Sequence, residues 1–266
     1  MTDIVTRSWL ADRLGEVALV DTREDWEYSG IGHLPTAVSI PFDAFRASEH
    51  AAESGEGEGM LPDRETWTEL LSEAGIAPDD HVVAYDDTHG VFAARFLVTA
   101  ELLGHDPEKL HLLDGDFSAW QRERAVESDA PEREPTDYTV DPPAETPLVD
   151  IEGVAAAIDT DAVIVDTREE WEFEEGHIPG AVRFDWREAI DDESRGIRPR
   201  DELGAVLAER GITPDRQVVL YCNTARRISH TYVVLRHLGY EDVAFYEGSL
   251  TEWEAAGRPL STGQSE

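Results

Sequence analysis

Short runs of hydrophobic residues recur along the chain, separated by longer stretches whose apolar positions are spaced for helices. The runs VALVD, HVVAYD, AVIVD and QVVLYC end at Asp21, Asp86, Asp166 and Cys222. Each run is short, rich in valine and leucine, and lacks alternation with polar residues. That pattern is typical of strands buried on both faces of a parallel sheet.

The stretches between these runs predict amphipathic helices. RETWTELLSEAGI (64–76) and RDELGAVLAERGI (200–212) each reach a glycine near their end, and a proline follows shortly afterwards. Glycine and then proline is a common way for a helix to stop. Alternation of strands and helices predicts an α/β fold, in which a parallel sheet has helices on both faces.

The pattern is written twice. Residues 18–43 resemble residues 163–186, and residues 81–105 resemble residues 217–240. Matching positions include Asp21 with Asp166, Arg23 with Arg168, His33 with His177, and Trp120 with Trp253. A repeat of this length indicates two copies of one domain.

Composition suggests where the copies meet. The segment 127–147 is rich in proline and acidic residues, so we expect an extended linker between a domain at 1–126 and a domain at 148–266. The first copy also carries a polar insertion, EHAAESGEGEG (49–59), which we expect to be a mobile loop.

The chain has one cysteine, Cys222, between a predicted strand and a predicted helix. In open parallel sheets, ligands bind beyond the carboxyl ends of the strands. There, loop N–H groups, the helix N-terminus and the charges of Arg226 and Arg227 favour a thiolate and an anionic substrate. A buried structural cysteine is the alternative.

The repeat bears on this choice, because Asp86 occupies the matching position in the first copy. An aspartate is costly to bury in an apolar core. We therefore expect both residues to lie in a polar loop that solvent reaches, and we interpret the copies as one inactive and one active version of the same site.

These motifs together resemble the rhodanese sulfurtransferases. The resemblance is carried by DTREEWEF (166–173), GHIPGA (176–181), EGSLTEW (247–253) and the cysteine loop. A cysteine in the second copy and an aspartate in the first resemble the tandem thiosulfate and 3-mercaptopyruvate sulfurtransferases. The resemblance implies two tandem rhodanese-like domains, of which 1–126 is inactive and 148–266 is catalytic.

The resemblance also implies a reaction. The Cys222 thiolate takes the outer sulfur of thiosulfate or 3-mercaptopyruvate and passes it from a persulfide to cyanide, a thiol or a protein acceptor. No metal or organic cofactor is implied. The predicted site comprises the nucleophile Cys222, the substrate-binding residues Asn223, Thr224, Ala225, Arg226, Arg227, Arg168 and Arg183, and the supporting residues Asp166 and His177.

Loop length separates this chemistry from a phosphatase of the same fold. Arg227 follows Cys222 after four intervening residues, as in sulfurtransferases, whereas phosphatase loops have five. The loop CNTARR departs from the common thiosulfate and mercaptopyruvate forms, and the charges of Arg226 and Arg227 favour thiosulfate. Ala225 replaces a glycine, so we expect a backbone that alanine adopts without strain. Trp171 and Glu172 lie where the tandem enzymes tend to carry a second arginine.

Charge limits the partners. The formal net charge is −36, from 58 acidic and 22 basic residues, so binding to nucleic acid is not expected. Acidic residues spread along apolar segments suggest a halophilic protein, since molar salt screens self-repulsion. Without a long apolar run or a signal peptide, and with a single cysteine, we expect a cytoplasmic protein away from membranes.

Two other functions stay open beside the enzyme. One is a sulfur-relay carrier that accepts a persulfide from a partner protein and shows little turnover of small donors. The other is a phosphatase or a catalytically silent binding module.

Overall fold

A computed structural model describes residues 2–47 and 60–263. The predicted loop at 49–59 lies outside the described residues. The chain divides into two compact units, residues 1–145 with 191–197, and residues 146–190 with 198–266. The division falls within the segment expected to be a linker, and the domain boundaries stay a prediction.

Unit 1 contains a parallel sheet. Its strands are β1 (Asp3–Thr6), β2 (Ala18–Asp21), β3 (Val38–Ser39), β4 (Val82–Tyr85) and β5 (Leu110–Asp114). They are arranged in the order β1-β5-β4-β2-β3, and every neighbouring pair is parallel. The helices are α1 (Arg7–Ala11), α2 (Asp25–Gly30), α3 (Arg64–Glu73), α4 (Val91–Leu103) and α5 (Phe117–Gln121), with 3₁₀ turns at Phe42–Phe45 and Pro107–Lys109.

Helices cover both faces of this sheet. On one face, Leu19 and Val83 pack in a cluster with residues of α1, α2 and α5. On the other, Phe96 of α4 contacts the rings of Phe45 and Trp67 at centroid distances of 5.3 Å. Because side chains alternate along each strand, a fully buried strand serves both layers.

Unit 2 repeats this arrangement. Its strands are β6 (Val163–Asp166), β7 (Val182–Arg183), β8 (Val218–Tyr221) and β9 (Val243–Phe245), in the order β7-β6-β8-β9 and all parallel. Its helices are α6 (Ile151–Ala157), α7 (Glu170–Glu175), α8 (Arg200–Glu209), α9 (Arg226–Leu238) and α10 (Ser249–Ala255), with a 3₁₀ turn at Trp186–Ala189. The predicted α/β architecture is confirmed in both units.

The proline-rich segment that follows α5 is held against unit 1. Tyr138 is fully buried, and its hydroxyl lies 2.9 Å from Nδ1 of His105. The Tyr138 N–H donates to Oγ of Ser72 at 3.1 Å, and the Glu127 N–H donates to the carbonyl of His33 at 2.8 Å. The segment 127–138 is therefore held against the unit near its two ends, while most of the residues between Glu127 and Tyr138 are exposed.

Two features of the described residues bear on possible partners. No helix there combines the length and apolar character required to cross a membrane. The described residues also contain no group of three or more histidine, cysteine or acidic side chains that could hold a metal ion.

The stability of unit 1 should depend on pH through His111. Burial, together with the nearby His81 ring, lowers the pKa of His111 to about 4 from 6.5. The unfolded chain therefore binds more protons between these values, so the free energy of unfolding should fall as the pH drops through this window, by about 2 kcal/mol. Denaturant titrations at pH 7 and pH 4.5 measure this, and His111→Gln should have the smaller loss.

Candidate active site

The carboxyl ends of two neighbouring strands bring the site together. Asp166 ends β6 and Cys222 follows β8, and Asp166 is in register with Tyr221 in this parallel pair. Side chains that follow the two strands therefore meet at one edge of the sheet. This is the edge at which open α/β sheets bind ligands.

Cys222 is buried, with 2% of its surface exposed. Its N–H donates to Oγ of Ser249 at 3.1 Å, and its carbonyl accepts from the N–H of Leu250 at 3.0 Å. Both contacts come from the start of α10, which fixes the position of the backbone at Cys222. The expectation that solvent reaches this position freely is wrong.

The loop Cys222–Ala225 leads directly into α9. Ala225 is fully buried with φ at +62°, in the left-handed region. The expectation of an unstrained alanine is therefore wrong, because so short a connection must reverse direction just before the helix. Thr224 is exposed, and its carbonyl accepts from the N–H of Arg226 at 2.8 Å.

Arg168 and Asp166 form a buried ion pair. Nε of Arg168 donates to Oδ1 of Asp166 at 2.9 Å, and Nη2 donates to Oδ2 at 2.7 Å. Nη2 also donates to the carbonyl of Gly176 at 2.6 Å. Burial alone would lower the pKa of the Arg168 guanidinium, but the carboxylate of Asp166 outweighs it and raises the pKa. This pair joins the end of β6 to the turn after α7.

A chain of polar contacts runs from Arg168 to Arg227. Nη1 of Arg168 donates to Oδ1 of Asn223 at 3.4 Å, and Nδ2 of Asn223 donates to Oε1 of Glu172 at 3.0 Å. Nη1 of Arg227 donates to Oε2 of Glu172 at 2.5 Å. This series of polar contacts therefore ends at the arginine of the Cys-x4-Arg loop.

Glu172 is a site residue that sequence reasoning missed. Burial alone would raise the pKa of its carboxyl, but the hydrogen bond and charge of Arg227, with smaller contributions from the Glu169 amide and Asn223, lower it. The signal available in sequence was that Glu27 occupies the matching position of the first copy.

Two other predicted residues make their polar contacts outside the cysteine loop. Arg183 ends β7 and lies 3.6 Å from Glu188, and no hydrogen bond or ion pair joins it to the cysteine loop in the described residues. Nδ1 of His177 lies 2.8 Å from the carbonyl of Phe173, and the two rings stack with centroids 3.7 Å apart. His177 thus stabilises the turn after α7.

In the first copy, backbone N–H groups of the matching loop and of the helix after it bind the carboxylate of Asp86. Oδ1 of Asp86 accepts the N–H groups of Thr88 and Gly90 at 2.7 and 2.8 Å. Oδ2 accepts those of Phe92 and Ala93 at 2.8 and 3.1 Å. The carboxylate is thus surrounded by four backbone donors at the start of α4. Burial raises the pKa of Asp86, and these four hydrogen bonds oppose the rise.

The interpretation of Asp86 as solvent-reachable is also wrong, since only 1% of the residue is exposed. The cost of burying the Asp86 carboxylate was judged from the sequence without the loop amides, which replace water as hydrogen-bond donors. The two loops also differ in length. The first has five residues before its helix, Asp86–Gly90, and the second has four, Cys222–Ala225.

Replacing Asp86 with asparagine should destabilise unit 1. The amide NH₂ must face two of the four N–H donors that now meet an oxygen, so we expect the free energy of unfolding to fall by about 2 kcal/mol. Denaturant titration measures this, with Asp12→Asn as a control at an exposed carboxylate of the same unit. An unchanged midpoint and slope for Asp86→Asn would contradict the role given to the loop amides.

Comparison with known proteins agrees with the repeat. The family model described as Rhodanese-like domain matches residues 6–123 and 150–256. The chain is 34% identical to the putative thiosulfate sulfurtransferase SseA of Mycobacterium tuberculosis, across 98% of this chain and 91% of that protein. It is 33% identical to a thiosulfate sulfurtransferase of Pseudomonas aeruginosa, across 94% and 93% of the two chains.

A solved structure is similar as well. The crystal structure of SseA from Escherichia coli, described with the catalytic mechanism of 3-mercaptopyruvate sulfotransferases, matches with a TM-score of 0.81 and 26% identity. The match covers 94% of this chain and 99% of that one. Both halves of the chain therefore have relatives with the same architecture.

Proposed function

The chain is a sulfurtransferase of the rhodanese-like domain family and contains two copies of that domain, and we propose that Cys222 carries the transferred sulfur. The donor is thiosulfate, with 3-mercaptopyruvate as the second candidate. Relatives named for the first donor, and a solved structure named for the second, support this choice. The acceptor is cyanide in an assay and a thiol in the cell.

The first half-reaction transfers one sulfur atom to the enzyme. The Cys222 thiolate attacks the outer sulfur of thiosulfate, a new S–S bond forms, and the original S–S bond breaks with its electron pair leaving on sulfite. With 3-mercaptopyruvate, a C–S bond breaks instead and the substrate's thiol proton ends on carbon, giving pyruvate. Both donors leave a persulfide anion on Cys222. An acceptor then forms a bond to the outer sulfur, the persulfide S–S bond breaks, and the electron pair of that bond stays on Sγ as the thiolate.

The carboxylate of Asp86 is the observation that supports this intermediate. Its oxygens are three bonds from Cα, the same count that separates the outer sulfur of a cysteine persulfide from Cα. Four loop N–H groups donate to those oxygens. In the second copy, no described residue donates a hydrogen bond to Sγ of Cys222. The loop is thus suited to an anion one atom beyond Sγ.

Each half of the proposal has a direct measurement. Purified protein mixed with thiosulfate and cyanide should form thiocyanate, and 3-mercaptopyruvate with cyanide should form pyruvate. Incubation with donor alone should add the mass of one sulfur atom to Cys222. Sulfur on Cys222 delivered by a protein persulfide, with negligible turnover of both small donors, would replace this proposal by the sulfur-relay function.

Salt dependence tests the habitat. We propose that the protein works in a cytoplasm of high salt, supported by the net charge of −36 and the screening of self-repulsion at molar ionic strength. Thiocyanate formation should increase from low to molar potassium chloride. Maximal activity without added salt would overturn this proposal and leave the sulfurtransferase assignment intact.

A further inference from the structure

Glu172 links two parts of the site without contacting the nucleophile. Its carboxylate accepts from Asn223 in the cysteine loop and from Arg227 in the first turn of α9. It also accepts from the N–H of Glu169 at 3.1 Å, which closes the capping box at the start of α7. Only 6% of Glu172 is exposed, so water has little access to the carboxylate that makes these contacts.

The order of donors and acceptors favours an ionised Glu172. A guanidinium has only donors, so Arg168 must face the oxygen of the Asn223 amide, and the NH₂ of that amide then faces Glu172. Arg227 and the backbone N–H of Glu169 are donors as well. All three neighbours of the Glu172 carboxyl thus donate to it, and donors on both oxygens favour the carboxylate over the neutral acid.

Arg227 keeps donors for a substrate. Its Nη1 is engaged by Glu172, while Nε and Nη2 make no hydrogen bond to any other described residue. The side chain is 21% exposed, so these remaining N–H groups can contact a ligand. Glu172 therefore orients the guanidinium while offsetting part of its positive charge.

The first copy supplies an internal comparison. Glu27 matches Glu172 in the repeat, and it too completes a capping box, accepting from the N–H of Glu24 at 3.2 Å. At the second position of the following helix, Phe92 of α4 stands where Arg227 stands in α9. The helix cap therefore exists without the arginine, and the ion pair is present in the copy that has the thiol.

We propose that Glu172 is a positioning residue that orients Arg227 and, through its negative charge, weakens the preference of the site for dianionic over monoanionic sulfur donors. The inference rests on the sulfurtransferase function proposed above. Thiosulfate carries two negative charges at neutral pH and 3-mercaptopyruvate carries one. A fixed negative charge beside the arginine repels the first donor more strongly than the second.

The ratio of kcat/KM for thiosulfate to kcat/KM for 3-mercaptopyruvate tests the charge. Glu172→Gln should raise this ratio about threefold to tenfold, because one fixed negative charge is removed near the donor. Both kcat/KM values should themselves fall, since the NH₂ group of the glutamine would face an N–H donor of a neighbouring residue. Glu172→Asp keeps the charge, so it should lower kcat and leave the ratio unchanged. Glu27→Gln is the matched control and should change neither value.

Alkylation of the single cysteine gives a measurement that needs no turnover. The rate with iodoacetate, which is an anion, is divided by the rate with iodoacetamide, which is neutral. This quotient should rise in Glu172→Gln and stay at the wild-type value in Glu27→Gln. If wild-type protein turns over both donors but neither ratio changes in Glu172→Gln, the inference is wrong. If the wild type turns over neither donor, the proposed function fails, and the alkylation quotient still decides the inference.

Discussion

Replacing Cys222 with serine should lower thiocyanate formation from thiosulfate and cyanide by at least about a thousandfold. A serine hydroxyl is a far weaker nucleophile than a thiolate, and it cannot carry a second sulfur as a persulfide. No other cysteine is present to substitute for it. The main-chain contacts of this position, to Ser249 and Leu250, do not involve the sulfur, so the fold should persist.

The control for this variant is structural. Its thermal midpoint should lie close to that of the wild type, because serine is slightly smaller than cysteine and the loop backbone is unchanged. Intact-mass measurement after incubation with thiosulfate should show added sulfur in the wild type and none in Cys222→Ser. A serine variant that retains substantial activity at the wild-type midpoint would exclude Cys222 as the sulfur carrier.

Replacing Asp166 with alanine should cost about 3–5 kcal/mol in the free energy of unfolding of unit 2. The side chains of Arg168 and Asp166 are 5% and 0% exposed. Removing the carboxylate leaves a buried guanidinium with only the carbonyl of Gly176 and the amide of Asn223 as partners. Since whole domains are stable by only about 5–15 kcal/mol, a loss of this size is severe.

Denaturant titration at fixed salt measures this loss, and an exposed ion pair is the matched control. Asp79 is 99% exposed and lies 2.9 Å from Nζ of Lys109, so Asp79→Ala should cost far less than Asp166→Ala, because water screens an exposed pair. Sulfur transfer by Asp166→Ala should fall too, because Arg168 positions Asn223. Equal effects of the two substitutions would show that burial does not strengthen the Asp166–Arg168 pair.

Much of the fold follows from local pattern. The short apolar run that leads to Cys222 predicts a buried strand, and the structure has β8 there, at Val218–Tyr221. The helix predicted from residue 200 begins at Arg200 and ends at Glu209, just before Gly211. Such elements depend on residues close in sequence, so periodicity and stop signals suffice to locate them.

The site was predictable only in part. The repeat made Asp166 and Arg168 candidate site residues, and the structure joins them in a buried ion pair. Burial of Cys222 and Asp86 was not predicted, because the loop amides that surround Asp86 compensate for lost water in a way that a propensity argument does not include. The left-handed conformation of Ala225 likewise depends on where the following helix must start.

The amino-acid order by itself determined that one domain occurs twice, that each copy is a parallel α/β sheet, and that a lone thiol follows a strand at a Cys-x4-Arg loop. Tertiary structure alone decided that Glu172 meets Arg227, that Arg168 fixes the direction of the Asn223 amide, and that unit 1 holds a carboxylate among four N–H groups. For the first two contacts the physical reason is distance along the chain, whereas the third depends on a local loop conformation that hydrophobic periodicity does not specify. Contacts between residues some fifty positions apart depend on strand register and helix placement, which short-range periodicity does not encode.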